Sequence, residues 1–219
     1  MESSYKVLWT GGWDSTFRII QLYRLRVTIQ PIYILDQNRR SYVKEIEAIE
    51  KITKELSVKF PKSNGKILPI ILKREDIPSD YFLKFVSKVL KRRMSLGKQY
   101  YWLACVAKKY KNLELSLHRE DMDRFFTTEQ LVQINDNTTG VNWKINPKKV
   151  DFYKRQLFLN MTFPLIEMSK PEMKRISEDD DFFDLMELTW FCHKSTRKPC
   201  GNCNPCKQYM RDGFGFRLE

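Results

Sequence analysis

Tyr5-Lys6-Val7-Leu8-Trp9-Thr10-Gly11-Gly12-Trp13-Asp14-Ser15 opens as an apolar run, breaks at two glycines and leads into a stretch where Phe17, Ile20 and Leu22 keep helical spacing. The order is buried strand, glycine turn, helix. A loop that leaves the C-terminal edge of a parallel strand and opens a helix aims free backbone N–H groups, and the positive end of the helix dipole, at the crevice where anions settle. Gly11 and Gly12 permit positive φ and close approach to a phosphate, and the hydroxyls of Thr10 and Ser15 can donate to its oxygens. Asp14 beside a polyphosphate needs Mg²⁺ or backbone donors to compensate it. No Gly-Lys-Ser/Thr follows, so the loop is not a Walker A, and its glycines lack the spacing of the dinucleotide fingerprint. A tight glycine turn that holds no ligand is the plain alternative.

Working outward, Pro31 to Asp36 reads as a second strand, followed by a helix in which Val43, Ile46, Ile49, Ile52 and Leu56 recur every three or four positions. Ile67 to Leu72 is a third strand candidate, Tyr81 to Lys91 and Gln99 to Tyr110 are helices, and Leu113 to His118 is a further strand. Strands alternating with helices predict an α/β fold, a doubly wound parallel sheet. Cys105, between Leu103 and Val106, reads as a small core residue rather than a reactive thiol. From Arg119 to Asp151 the pattern weakens. Asn135-Asp136-Asn137 and Thr138-Thr139-Gly140 mark loops around a short helix near Glu129 to Ile134. Ser169-Lys170-Pro171-Glu172 is a capping box that starts a helix running through Ile176, and the acidic run Glu178 to Asp181 reads as a solvated loop. Without repeats or a linker-like tract, residues 1–219 are expected to form a single domain.

Charged residues interrupt every hydrophobic stretch, and neither a basic-then-apolar opening nor an apolar run of about 18 residues is present. The expectation is a cytoplasmic protein without a membrane partner. A formal charge of +12 suits general solubility or an anionic partner such as ATP, nucleic acid or an acidic protein. The stripe Lys84-Lys88-Lys91-Arg92-Arg93 is either a solvated helix face or a phosphate-contacting one.

The chain has five cysteines, and Cys192, Cys200, Cys203 and Cys206 form a Cys-x7-Cys-x2-Cys-x2-Cys array. Such crowding suits a metal in a reducing compartment better than a disulfide framework. Four thiolates can close tetrahedrally around Zn²⁺ at about 2.3 Å, with no open position for water, which makes the site structural. Gly201 and Pro205 help the chain wrap, and Lys194, Arg197, Lys198 and Lys207 stabilise the thiolates. An iron–sulfur cluster is the rival occupant. His193 reads as a surface neighbour of the set, and His118 as the end of a strand that faces the crevice, with a structural or a catalytic role.

Thr10-Gly11-Gly12-Trp13-Asp14-Ser15 resembles the PP-loop, written Ser-Gly-Gly-x-Asp-Ser, with a threonine keeping the first hydroxyl. Thr189-Trp190-Phe191-Cys192, Cys200-Gly201-Asn202-Cys203-Asn204-Pro205-Cys206 and Arg211-Asp212-Gly213-Phe214 look like the C-terminal signature of the 7-cyano-7-deazaguanine synthase (QueC) family of PP-loop ATP pyrophosphatases. Pro164-Leu165-Ile166-Glu167-Met168-Ser169-Lys170 and Asp36-Gln37 resemble other segments of that family, so the similarity runs from about Lys6 to Phe214. The resemblance implies an adenine nucleotide alpha hydrolase-like fold with an integrated zinc segment over 189–214. It also implies ATP, Mg²⁺ and Zn²⁺, and adenylation of the carboxylate of 7-carboxy-7-deazaguanine with release of pyrophosphate. Ammonia then gives the amide, and a second ATP drives dehydration to the nitrile.

On this resemblance the nucleotide is held by Leu8, Thr10, Gly11, Gly12, Trp13, Asp14, Ser15, Thr16, Arg18 and Asp36. Asp14, Ser15 and Lys98 are catalytic, Gln37, His118, Glu120 and Asp121 bind substrate, and the four cysteines hold zinc. The chain departs from the family at Leu96-Gly97-Lys98-Gln99, where Pro-Gly-Arg-Asn is usual, and between Ser116 and Phe125, where only an acid pair survives. Such departures are also expected of QueC-like proteins of antiphage defence operons, which would join the activated deazaguanine to a protein amine. A zinc-containing, RNA-binding tRNA modifier and a binding protein without turnover are the other function classes, and a homodimer is left open.

Overall fold

Neighbouring residues of a strand point to opposite faces of a sheet, and in the first strand both faces are covered. The computed structural model describes residues 4–63, 65–68 and 70–218. In β1 (Tyr5–Leu8), Val7 joins one buried cluster and Leu8 the other. The Val7 cluster gathers the apolar faces of α1 (Trp13–Arg24) and α2 (Tyr42–Lys59) around β1 and β2 (Thr28–Leu35). Beyond β2 lie β3 (Lys66–Ile67) and β4 (Ile70–Lys73), so the strand expected from Ile67 to Leu72 is two short pieces, both paired with β2. The Leu8 cluster is closed by α3 (Tyr81–Met94) and α4 (Gln99–Lys109), which precede β5 (Leu113–Glu114). Cys105 is buried there among apolar neighbours.

All pairings of this sheet are parallel. The chain winds outward from β1 through β2 to β3 and β4, then returns to place β5 on the other side of β1, with β8 (Met161–Thr162) beyond it. Helices on both faces and this reversal make the fold the expected doubly wound α/β type. In such sheets ligands bind outside the carboxyl ends of the strands where the winding reverses, here β1 and β5.

The chain between β5 and β8 departs from expectation. The strand expected from Leu113 to His118 stops pairing early, because His118 caps α5 (Arg119–Phe125). Of the short helix expected near Glu129 to Ile134 only a 3-10 turn, Thr128–Gln130, is present; β6 (Leu131–Asp136) and β7 (Gly140–Ile145) form an antiparallel hairpin. The apolar residues Leu131, Val141, Trp143 and Ile145 and the β-branched Val132 and Ile134 fit a period of two better than a helix. What read as two loops is one turn: Asp136 Oδ1 accepts the N–H groups of Thr138 (2.9 Å) and Thr139 (2.8 Å), and Gly140 takes φ +78°. After α6 (Phe152–Phe158) and β8, α7 (Lys170–Asp179) begins at the expected capping box, with Ser169 N–H donating to Glu172 Oε2 at 2.7 Å. The acidic run splits: Glu178 and Asp179 stay helical, while Asp180 meets Arg24 at 2.6 Å and Asp181 lies 3.4 Å from Lys59. The short α8 (Phe183–Glu187) and α9 (Asn204–Arg211) complete the Val7 cluster together with Cys192, Cys203 and Cys206. Among the described residues no helix is long and apolar enough to cross a membrane.

Arg18 and Glu114 tie α1 to β5 under the crevice. The guanidinium forks onto the carboxylate, Nε to Oε2 at 2.7 Å and Nη2 to Oε1 at 2.9 Å, with both side chains buried. Breaking such a pair strands a charge in a dry interior, whereas replacing both partners with apolar groups of similar volume is tolerated. Glu114→Ala is therefore expected to cost about 3–5 kcal/mol in urea denaturation, and Arg18→Met with Glu114→Leu much less. A single variant within 1 kcal/mol (about the cost of a surface change) would contradict a closed, dry pair.

Candidate functional site

At the carboxyl end of β1 the chain turns sharply through Gly11, at φ +68°. A Cβ there would stand 2.7 Å from the carbonyl oxygen of Glu45, so only glycine fits. Ser15 Oγ braces the turn, donating to Gly12 O at 3.3 Å and accepting from Thr10 N at 3.5 Å. Gly12 is the N-cap of α1 and no side chain caps that helix start, which leaves its first amides for an anion. Gly11→Ala should combine an αL penalty of about 1–2 kcal/mol with displacement of α2, and reach the binding site directly. The check is urea denaturation beside an ATP titration; unchanged stability and unchanged affinity would refute the assigned geometry.

A polar cleft of about 270 Å³ lies over this turn, lined in part by Thr10, Gly12, Trp13, Asp14, His118 and Asp121. Larger cavities occur between β4, α4 and the loop before α3 (about 400 Å³), between α2 and β2 (about 380 Å³), beside Glu167 and Arg175 (about 340 Å³) and beside Lys59 and Lys62 (about 410 Å³), but none of them is lined by the turn from Thr10 to Ser15. Lys170, buried at the start of α7, sets its ammonium 3.2 Å from Asp14 Oδ1 and against His118 Nε2. His118 Nε2 also lies 3.7 Å from Asp121 Oδ2 and 4.0 Å from Asp14 Oδ2, and its Nδ1 is 2.6 Å from Glu120. Burial raises the Asp121 carboxyl above the ordinary range, although His118 and Lys170 pull it back. Burial likewise raises Asp212, beside the same cluster.

Several buried polar atoms on side chains that line the cleft lack a hydrogen bond: Trp13 Nε1, Asp14 Oδ1, His118 Nδ1 and Tyr209 OH. The contacts of Asp14 Oδ1 with Lys170 and of His118 Nδ1 with Glu120 are close in distance but off the hydrogen-bonding direction. An unpaired buried polar group costs about 1–3 kcal/mol; Asp14 Oδ1 and His118 Nδ1 keep charged neighbours, so Trp13 Nε1 is the clearest orphan of the four.

Arg39 also reaches the cleft. Its guanidinium is pinned by Glu45 and by Ser41 Oγ (3.2 Å), and Glu45 is fixed in turn by Tyr33 OH at 2.9 Å. His193 lines the same wall, its pKa held below the ordinary value by burial and by Arg39.

Other expected residues lie elsewhere. Leu8 and Thr16 are interior, Thr16 Oγ1 accepting from Trp9 Nε1 at 2.9 Å. Arg18 is not among the residues that line the cleft, its guanidinium being held by Glu114. Asp36 meets Arg74 at 3.0 Å, and Gln37 and Lys98 are exposed, although Gln99, beside Lys98, does line the cleft. Sequence reasoning passed over Lys170, Arg39 and Gln99. A signal for Lys170 was present: a lysine in the first turn of a helix opposes the dipole and needs another partner.

The four cysteine sulfurs lie within 4.8 Å of one another, with Cys203–Cys206 at 3.3 Å and Cys192–Cys203 and Cys200–Cys206 at 4.0 Å. Tetrahedral Zn–S bonds of about 2.3 Å give sulfur separations of about 3.8 Å. The set therefore fits one zinc ion, while a cluster would need room for its own iron and sulfide. The amides of Asn202 and Cys203 hold the Cys200 thiol down at about 6, while burial pushes Cys206 up to about 12, so metal binding must expel protons. Trp190 N–H donates to Gly11 O at 2.9 Å, and Phe191, Pro205, Gln208 and Tyr209 line the cleft. The cysteine segment is thus one wall of the site.

No protein-family model matches the chain, and no curated protein matches it. Among solved structures, the chain is similar to a predicted subunit of tRNA methyltransferase from Methanocaldococcus jannaschii, at 14% identity over 96% of this chain and 87% of that one, with a TM-score of 0.44. A likeness of that strength bears on neither fold nor function. The cleft combines an uncapped helix start, two cations, a cluster of carboxylates and an aromatic wall in which Phe191 stacks on Tyr209 at 3.8 Å.

Proposed function

We propose that this chain is a PP-loop enzyme that binds ATP·Mg²⁺ on the Gly11–Gly12 turn and adenylates the carboxylate of a deazapurine acid. The substrate implied by the sequence resemblance is 7-carboxy-7-deazaguanine. The observation that carries the reading is the convergence of an uncapped helix start with Lys170 and Arg39 where the winding reverses. A triphosphate laid there meets the amides of α1 and both cations, donors already in place for the charge that grows on departing pyrophosphate. A carboxylate oxygen attacks the α-phosphorus. The bond from that phosphorus to the oxygen bridging to the β-phosphate breaks, and pyrophosphate leaves with the electron pair. Asp14 and Asp121 are the carboxylates on the cleft wall that would hold Mg²⁺, which supplies positive charge to the phosphates. Phe191 and Tyr209 offer the deazapurine a flat apolar wall. Zinc enclosed by the four thiolates would hold that wall in place.

The acyl-adenylate can meet either of two nucleophiles. Ammonia gives the amide and releases AMP; the amide oxygen then attacks the α-phosphorus of a second ATP with loss of pyrophosphate, and loss of two protons expels AMP carrying that oxygen to leave the nitrile. A partner protein's amine gives a conjugate by the same first step, and the altered stretch that forms α5 beside the cleft favours weighing it. Mass spectrometry on zinc-loaded protein with ATP, Mg²⁺, the acid and ammonia tests the reading. AMP and pyrophosphate are expected in step with loss of the acid. Abundant nitrile would exclude the conjugating variant, and an acid that is never consumed would sink adenylation altogether.

A further inference from the structure

α3 turns Leu83, Val86 and Leu90 inward and presents only rings and cations outward. Tyr81, Lys84, Lys88 and Lys91 follow at spacings of three or four, which sets them in one stripe. Beside it Phe82 and Phe85 meet α6, with Phe82 6.0 Å from Phe152 and Phe85 6.4 Å from Tyr153, while Arg93 lies 4.9 Å over the Tyr153 ring. Four of these rings are too exposed to be core: Tyr81 83%, Phe82 46%, Phe85 54% and Phe152 53%. Neither helix contains an acidic residue, and the Asp151 that caps α6 is occupied by the N–H groups of Tyr153 and Lys154.

The chemistry selects the occupant. Rings interleaved with cations match a strand whose phosphates are neutralised while its bases stack, and stacking needs no particular sequence. An acidic peptide would use the cations and leave the rings in water. A second copy would bring one cationic face against another, which repels. A helix lying in a membrane would be expected to add aliphatic side chains to its outward face, and those of α3 point inward. The connection from α3 ends at Gln99, the first residue of α4, which lines the cleft.

We propose that the α3–α6 face binds single-stranded nucleic acid, with phosphates on Lys84, Lys88 and Arg92 and bases on Tyr81, Phe82 and Phe85, the strand running toward the cleft. This goes beyond adenylation and does not depend on it. Fluorescence anisotropy with labelled 20-mers of uridine and of thymidine, over a salt series, reads it out. Affinity should fall with salt, the logarithmic slope being about −0.7 per phosphate neutralised. Lys84→Glu with Lys88→Glu should weaken binding at least about 10-fold and flatten that slope. Phe82→Ala with Phe85→Ala should weaken it about 10-fold or more and leave the slope unchanged. Both variants should bind ATP as the unaltered protein does; the charge variant should also melt as it does, while the ring variant should melt somewhat lower through loss of its contacts with Phe152 and Tyr153. Protein that holds ATP but no oligonucleotide at about 50 mM salt overturns this proposal alone. So does capture by phosphatidylserine vesicles without oligonucleotide binding, or undiminished affinity in both variants.

Discussion

Lys170→Ala is expected to lower acid-dependent AMP formation by about 10²–10³-fold, the loss seen when a positioned donor to developing charge is removed. The ammonium is buried between Asp14 and His118, where it faces whatever occupies the polar cleft over the glycine turn. Lys170→Arg should not restore the rate, because a planar fork cannot replace a compact ammonium in a closed space. The same substitution has a pH signature. The Asp121 carboxyl is raised in the folded protein, so the native state holds its proton where the unfolded chain has released it. Its contribution to stability is full below the ordinary carboxylate value and is lost as pH rises through the raised one. Lys170 counters that rise, so Lys170→Ala should push the loss to higher pH, visible as urea midpoints that fall more steeply above about pH 4. An unaltered rate with an unaltered pH profile would place Lys170 outside the site.

Stripping zinc, or replacing Cys206 with serine, should abolish nucleotide binding although no cysteine touches the turn. Cys206 is buried in the cluster that includes Val7 and Phe17, and Trp190 reaches from this segment to the Gly11 carbonyl at 2.9 Å. Structural zinc contributes folding energy of about 10–16 kcal/mol in small zinc-finger peptides. In a chain with a second large core the share is smaller, and a fall in melting temperature on the order of 10 °C is expected for Cys206→Ser. Melting curves, zinc content and ATP titrations on the same samples provide the check. Chelated protein with full ATP affinity would show that the segment is not a working wall of the cleft.

What was legible in the sequence was local. The strand, glycine turn and first helix lie within twenty residues, and the periodicity of Phe17, Ile20 and Leu22 needs no distant partner. The cysteine spacing is likewise local, because a tetrahedron closed by three short loops constrains the chain itself. What was hidden depends on pairs far apart. Arg18 reads as a phosphate ligand until Glu114 is placed against it, and Lys170 reads as part of a capping box until β5 delivers His118. The β6–β7 hairpin was missed because its turn, Asp136 to Thr139, is polar enough to pass for two loops, and its strands carry polar residues on one face.

The central claim is that the amides opening α1, with Lys170 and Arg39, clasp a nucleotide triphosphate. Calorimetric titration of zinc-loaded protein with ATP·Mg²⁺, repeated with Gly11→Ala, measures that most directly. Saturable binding that is lost in the variant is the predicted result. No binding of ATP·Mg²⁺, with or without a deazapurine acid present, would contradict it.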